Sequence, residues 1–419
     1  FFSFLVSHKL CRFYYISYIR SSFIDSVKIS FRKHSFFHIL VYIMLYFLFK
    51  LAQQFYYANT DKNDFKIVKL NKYPDFGESK SATSKFLTKD VFEALKATKS
   101  KHGFGLDLVI NSAVQNHGSS IGCYAPEPEA YDSFALFFDK IIKDYHNYGT
   151  DDKHPTNLNV DDLNGDNPDP NADYIVSTRI RVGRNMDNFP LVGGISQKER
   201  VFLSKKIVAA LASLDGELKG KYYPLDNMKE EDRKSLIADH FLFKAGDKYL
   251  EAAGCNRNWP EGRGIFHSAD KRFLVWVNEE DQLRIISMQK GGAIKEVFAR
   301  LSKAIGQIEK KLKFAHTEHL GYITSCPTNL GTAMRASVHI RIPNISKESN
   351  FYDWCEKKEI SVRGIHGEHS KSAGGIYDIS NKRRLGLSEV DCVQTMYDAV
   401  VELIAWEKRL EATNEEKKE

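Results

Sequence analysis

The chain is poor in cysteine, with six in 419 residues (Cys11, Cys123, Cys255, Cys326, Cys355, Cys392) and no CxxC pair. That excludes a disulfide scaffold and offers no zinc spacing, and it fits reduced thiols in a cytoplasmic protein. No GxxxxGK[ST] run occurs, so bound phosphates would not lie in a P-loop. No internal repeat is evident. Long apolar runs are scarce too: Phe36–Phe49 spans 14 residues and is broken by His38, below the roughly 20 that cross a bilayer. Most of the chain also lacks an excess of either charge. The total is 60 Lys+Arg against 54 Asp+Glu, net +6, yet residues 1–58 hold seven bases and one acid, so the remainder is neutral. A neutral body without a basic run argues against a general nucleic-acid binder.

An apolar content of 42% excludes a disordered chain, and the length suits two domains with sizeable cores. Residues 1–58, with 18 of the 52 aromatic residues, form a basic aromatic leader. It reads either as a signal or anchor segment, the one route to membrane contact or secretion, or as translated upstream sequence, the first methionine being Met44.

From residue 59 the apolar spacing predicts helices within Ser79–Lys101, Leu106–Val114 and Glu129–Tyr145. The Pro-, Asn- and Asp-rich stretch 151–172 reads as a linker between a domain over 59–150 and one over 173–419. Beyond it, Tyr174–Val182, Phe273–Val277, Leu283–Met288, Tyr322–Thr324 and Ser337–Ile342 read as strands. Glu199–Leu214, Ile294–Leu312 and Val390–Leu410 read as helices. Strands joined by short loops, with long helices between groups of them, predict an α+β fold with a largely antiparallel sheet.

Arg179 and Arg181 lie two apart on a predicted strand and so share a face. Arg284, Arg335 and Arg363 flank other short strands. Each singly fits a solvated strand face. Together they suit a polyphosphate, which planar bidentate donors grip better than lysine does. Cys326, followed by Pro327, Thr328 and Gly331, reads either as an exposed thiolate with donors nearby or as a buried apolar cysteine. The acids Glu279, Glu280, Asp281 and Glu368 read as proton acceptors, cation ligands or solvated turns.

Longer motifs go further. Cys326–Pro327–Thr328–Asn329–Leu330–Gly331–Thr332, continuing to Ile340, resembles the signature of the phosphagen (ATP:guanidino) kinases. Asn278–Asp281 with Leu283–Ser287, Ser177–Arg181, Trp259–Gly264 and Tyr377–Arg384 are similar to other motifs of that family. The resemblance runs from about residue 59 to 410 and implies a small all-helical N-terminal domain followed by a larger domain with an antiparallel β-sheet flanked by helices.

The resemblance implies reversible transfer of the ATP γ-phosphoryl group to a guanidino nitrogen, with Mg²⁺ carried by the nucleotide and no metal site on the protein. It implies a nucleotide site of Ser177, Thr178, Arg179, Ile180, Arg181, His240, Arg284, Arg335, Ala336, Ser337, Val338, His339, Arg363, Gly364, Ile365, His366, Gly367, Glu368 and Asp378. Glu280 and Glu368 would grip the guanidinium beside Arg284, and Cys326 would be a thiolate near it, with Thr328 lowering its pKa. Ser119, Ser120, Ile121, Gly122, Cys123 and Tyr124 resemble a substrate-specificity loop, and Tyr124 with Tyr145 implies L-arginine as acceptor. The loop departs from the family pattern at Gly118 and Ser120. ATP or ADP and L-arginine are thus the expected partners of a cytoplasmic monomer or dimer. Other guanidino compounds such as taurocyamine, or a protein arginine, are the alternatives as acceptor.

Overall fold

The computed structural model describes residues 65–419 except 240, 244, 365–373 and 417–419. The leader 1–58 therefore lies outside the described residues.

The first part is helical. Ser81 caps α1 (Ala82–Phe86), its hydroxyl accepting from Ser84 N at 3.1 Å. Next come α2 (Lys89–Leu95), α3 (Leu106–Val109), α4 (Asn111–Gln115), α5 (Ala130–Ser133) and α6 (Ala135–His146). Two predicted helices are each divided. Leu106–Val114 breaks at Ile110 (φ −106°, ψ 6°) and Glu129–Tyr145 at Phe134 (φ −115°, ψ 29°). Both hinge side chains are fully buried, so packing overrides the unbroken apolar spacing. Phe92, Phe134, Phe137, Phe138 and Ile141 fill this core, together with Leu320, Ile323, Leu330 and Leu385 from the later chain. The helical part is thereby seated on the loop that carries Cys326. Ala125 N donates to Ser325 O at 2.7 Å, and the Tyr131 hydroxyl donates to Thr324 O at 2.9 Å.

The later part is built on a sheet. In chain order it contains β1 (Ile175–Arg184), α7 (Gln197–Leu211), β2 (Gly220–Pro224), α8 (Glu230–Ala238), α9 (Lys248–Ala252), β3 (Gly264–Ser268), β4 (Phe273–Val277) and β5 (Leu283–Lys290). There follow α10 (Ile294–Glu309), the short pair β6 (His316–Thr317) and β7 (Gly321–Tyr322), β8 (Met334–Arg341), α11 (Phe351–Lys357), β9 (Ile360–Gly364), β10 (Ile376–Asn381) and α12 (Glu389–Glu416). Eight strands form one antiparallel sheet in the order β2-β3-β4-β5-β1-β8-β10-β9. This is the α+β architecture expected from the sequence. The reading over Tyr322–Thr324 shrinks to the two-residue β7.

Alternation sorts each strand into two faces. Ile180, Val182, Ile285, Ala336, Val338 and Ile379 point into the main core against Leu203 and Ile207 of α7, Val297 and Leu301 of α10, and Val393 and Met396 of α12. The opposite face is apolar only toward β2–β5, where Ile265, Leu274 and Ile286 lie under Phe241 and Phe243. Toward β1, β8, β10 and β9 that face is polar.

Candidate active site

Register explains why five scattered positions meet. Across β1 and β8, Arg181 pairs with Arg335, Arg179 with Ser337 and Ser177 with His339. Across β1 and β5, Gly183 pairs with Arg284. Asp378 of β10 stands opposite both His339 and Arg363. Five arginines from four other strands therefore share one face with Asp378 of β10. The expected nucleotide-site residues Thr178, Ile180, Ala336 and Val338 do not: their side chains turn into the protein and are fully buried. His240, Ile365, His366, Gly367 and Glu368 lie outside the described residues; Gly364 closes β9.

The arginines differ in their company. Arg335 forks onto Asp378 through Nη1–Oδ2 at 3.1 Å and Nη2–Oδ1 at 2.9 Å. His339 Nε2 lies 3.7 Å from the same carboxylate and its Nδ1 3.3 Å from Ser177 Oγ. Although burial opposes it, Arg335 and His339 hold Asp378 well below the ordinary carboxylate range. Arg284 bridges Glu279 at 2.9 Å and Glu280 at 2.8 Å, so both of its terminal nitrogens are neutralised. Arg179 and Arg181 are pushed down from the usual guanidinium range, Arg179 to about 10, by burial first and by the neighbouring guanidiniums next. A guanidinium does not release its proton under ordinary conditions, so the cost of burial and the mutual repulsion both persist until a bound polyanion offsets them. Trp276 supplies a ring beside Arg179 and Arg284, with centroid distances of 5.9 and 5.3 Å.

Asp378→Asn is expected to cost on the order of 2 kcal/mol, since it leaves a buried guanidinium short of its charge partner. Because the folded pKa is depressed, the wild-type advantage is present above the unfolded value near 3.9 and fades as pH falls through the folded one. Urea midpoints of the two proteins at pH 7 and at acid pH check both statements.

The carboxylates sit on the turn between β4 and β5. Asn278 opens it with φ 58°, its Nδ2 donating to Gly262 O at 2.8 Å. Asp281 is buried and points inward, accepting from Asn185 Nδ2 and from Ser325 N, both at 2.8 Å. That ties the acidic turn to the cysteine loop, as does the Ser325 hydroxyl donating to Glu280 O at 2.9 Å. Burial raises the Glu280 pKa, with Asp281 and Glu279 adding to the shift and Arg284 opposing it.

Of the two readings of Cys326, the structure matches the buried one. The residue is 6% exposed, and burial with the nearby Glu280 charge pushes the thiol up to about 12. The Thr328 hydroxyl lies 3.1 Å from Sγ and acts in the expected downward direction, but desolvation outweighs it.

The loop 119–124 hangs from the first helices by its carbonyls. Those of Ser120, Ile121 and Gly122 accept from Ala82, Thr83 and Ala113 N–H at 2.9–3.0 Å. Among the described residues none accepts from the N–H of Ser120, Ile121, Gly122 or Cys123, leaving a row of donors for an anion. Gly122 is required here: φ is +79°, and a Cβ would lie 2.5 Å from the Ala113 Cβ. Tyr124 is held far above its ordinary pKa, first by burial and then by Cys326 and Glu280, so its hydroxyl stays neutral near the acidic turn. Tyr145 packs against His146 with ring centroids 4.9 Å apart.

Two further residues belong to the site. Arg384 Nη1 donates to Thr328 O at 2.6 Å and Asn329 Oδ1 at 2.7 Å, pinning the cysteine loop. Asn329 Nδ2 approaches Glu280 Oε1 at 3.4 Å. Both lie inside the motifs quoted above, where they carried no assigned role. A cavity lined by Arg181, Asp281, Arg284, Asn329, Arg335 and Arg384 joins the arginines to the acidic turn.

An anion-seeking arginine face beside acids suited to a cation fits a site that moves a phosphoryl group from a nucleotide to a basic acceptor. Comparison with known proteins places it more closely. The profile "ATP:guanido phosphotransferase, N-terminal domain" matches residues 77–143, and "ATP:guanido phosphotransferase, C-terminal catalytic domain" matches 202–410. An arginine kinase of Anthopleura japonica is 53% identical over 335 residues, covering 79% of this chain and 47% of the relative. The arginine kinase Lit v 2 of Penaeus vannamei is 49% identical over 336 residues, covering 80% of this chain and 94% of the relative. The chain thus spans about half the length of the Anthopleura protein and nearly all of the Penaeus one.

Among solved structures, a lombricine kinase matches with TM-score 0.77 and 36% identity, covering 83% of this chain and 98% of its own. The duplicated taurocyamine kinase of Schistosoma mansoni, with bound transition-state analogue components, matches with TM-score 0.75 and 44% identity over 80% of this chain and 47% of its own. The chain belongs to the ATP:guanido phosphotransferase family and is a phosphotransferase with a nitrogenous acceptor. Among the described residues, no helix is long and apolar enough to cross a membrane.

Proposed function

We propose that the chain is an arginine kinase, moving the γ-phosphoryl group of MgATP reversibly to a guanidino nitrogen of L-arginine and so buffering ATP. The observation that carries this reading is the arginine face abutting Glu280, with the donor row of loop 119–124 nearby. The identities of 53% and 49% to arginine kinases, against 36% and 44% to the lombricine and taurocyamine enzymes, favour L-arginine over the other guanidino acceptors.

In this reading Arg179, Arg181, Arg284, Arg335 and Arg363 hold the phosphates and oppose the charge that spreads over the γ-phosphoryl oxygens during transfer. Ser177, Ser337, His339 and Asp378 frame the ribose and base end, with His240 proposed there on sequence alone. Mg²⁺ enters on the nucleotide. Glu279 and Glu280 are engaged by Arg284, and Asp378 by Arg335.

Glu280, with Glu368 proposed on sequence alone, grips the acceptor guanidinium and receives its proton. The nitrogen then bonds to the γ-phosphorus as the bond from that phosphorus to the bridging oxygen breaks and ADP leaves. Cys326 borders the guanidinium, with the Thr328 hydroxyl 3.1 Å from its sulfur. Residues 59–150 act as the acceptor-specificity domain, 151–172 as the linker and 173–419 as the catalytic domain. The five described cysteines are all free, which fits a cytoplasmic location.

Incubation of the protein with MgATP and L-arginine is expected to release ADP together with acid-labile phospho-L-arginine, read by phosphorus NMR. ADP release with no phosphoramidate would overturn the assignment.

A further inference from the structure

The loop proposed to select the acceptor is anchored at its start by a helix from the other part of the chain. That helix, α9, is capped by Asp247, whose Oδ1 accepts from Tyr249 N at 2.9 Å and Leu250 N at 3.1 Å. Its side facing the loop makes three polar contacts. The Tyr249 hydroxyl donates to Gly118 O at 3.1 Å, one residue before the loop. Asn116 Nδ2 donates to Lys248 O at 3.2 Å, and buried Asn111 Nδ2 donates to Ala252 O at 2.7 Å. Leu250 and Tyr124 pack against one small apolar group of Val192, Ala253 and Cys255.

These contacts divide the work. The carbonyls of residues 120–122 fix the loop from the side of α1 and α4, whereas its first peptide is held at both ends, the Ser119 N–H donating to Asn116 O at 3.0 Å and the Gly118 carbonyl accepting from Tyr249 of α9. A shift at Gly118 would rotate the following peptides, and with them the donors of Ser120 to Cys123. A carboxylate bound by several N–H groups is sensitive to such a rotation, because hydrogen bonds weaken steeply off line.

We propose that Tyr249 is a positioning residue for acceptor selection: through the Gly118 carbonyl it sets the loop so that its N–H groups converge on the acceptor's α-carboxylate. This rests on the L-arginine reading above. The measurement compares Tyr249→Phe with wild type for the KM of L-arginine and for the inhibition constant of agmatine, which keeps the guanidinium and lacks the carboxylate. KM for L-arginine is expected to rise about 2- to 10-fold, the range one hydrogen bond covers, while agmatine binding, kcat and the KM for MgATP stay unchanged. Asn116→Ala should move the same ratio, and the double variant should add less than the sum of the two.

Equal weakening of L-arginine and agmatine, or a fall in thermal midpoint with the ratio unmoved, would show a merely structural contact and overturn the proposal. If wild type phosphorylates a different guanidino acid, the L-arginine reading fails by itself. The Tyr249 comparison is then run with that acid and its analogue lacking the acid group.

Discussion

Arg284→Ala is expected to lower kcat by about three to five orders of magnitude, the range an arginine clamp on a transferring phosphoryl group supplies. The expectation follows from its place between two chemistries. Its strand position puts it on the phosphate face with Arg179, Arg181 and Arg335. Its two terminal nitrogens meet Glu279 and Glu280 on the acidic turn. Truncation therefore removes a phosphate donor and also leaves two largely buried acids without their cation, which drives Glu280 further toward its protonated form. Arg284→Lys separates charge from geometry: lysine keeps the charge and loses the fork, so it is expected to recover only a small part of the rate. Single-turnover rates with saturating MgATP and L-arginine check this, with circular dichroism to confirm folding. A kcat within tenfold of wild type in the alanine variant would remove Arg284 from the reacting centre.

Glu280→Gln is expected to lower kcat by about 10²- to 10⁴-fold, the usual span for loss of a positioned proton acceptor. Glutamine keeps the size and the contact with Asn329 while losing the charge that holds a guanidinium and accepts its proton. The pH dependence supplies an independent sign. Burial, Asp281 and Glu279 raise the Glu280 pKa, and the working form is the carboxylate. Thus kcat/KM for L-arginine should be high above that raised pKa and fall as pH drops through it, at a pH well above the ordinary glutamate value near 4.3. In the glutamine variant that limb should vanish. An acid limb that persists unchanged would assign the titration elsewhere.

Several of these residues were legible in the sequence, each for an identifiable reason. Arg179 and Arg181 share a face because strand side chains alternate, and that follows from spacing alone. Alternation also limits the expectation: Thr178, Ile180, Ala336 and Val338 share the motifs of their neighbours, yet the same period of two turns them into the core. Burial was the chief quantity that spacing did not carry. Cys326 sits in a polar motif, but the helical part closes over it through Ala125 and Tyr131 and raises its pKa where neighbouring donors alone would have lowered it. Arg384 reaches residues 328 and 329 across more than 50 positions of chain, a contact with no local signature. The breaks at Ile110 and Phe134 were hidden for the opposite reason: the apolar period continues through both, and only the docked surroundings choose the bend.

In the proposed reaction a guanidinium sits between Glu280 and an arginine-held phosphate, and loop 119–124 chooses which guanidinium. The most direct measurement is initial-rate phosphoryl transfer from MgATP across L-arginine, taurocyamine, lombricine, glycocyamine and creatine. Phospho-L-arginine as the dominant product, with the others far slower, is the predicted result. An inert L-arginine beside rapid turnover of another member of the panel would contradict it.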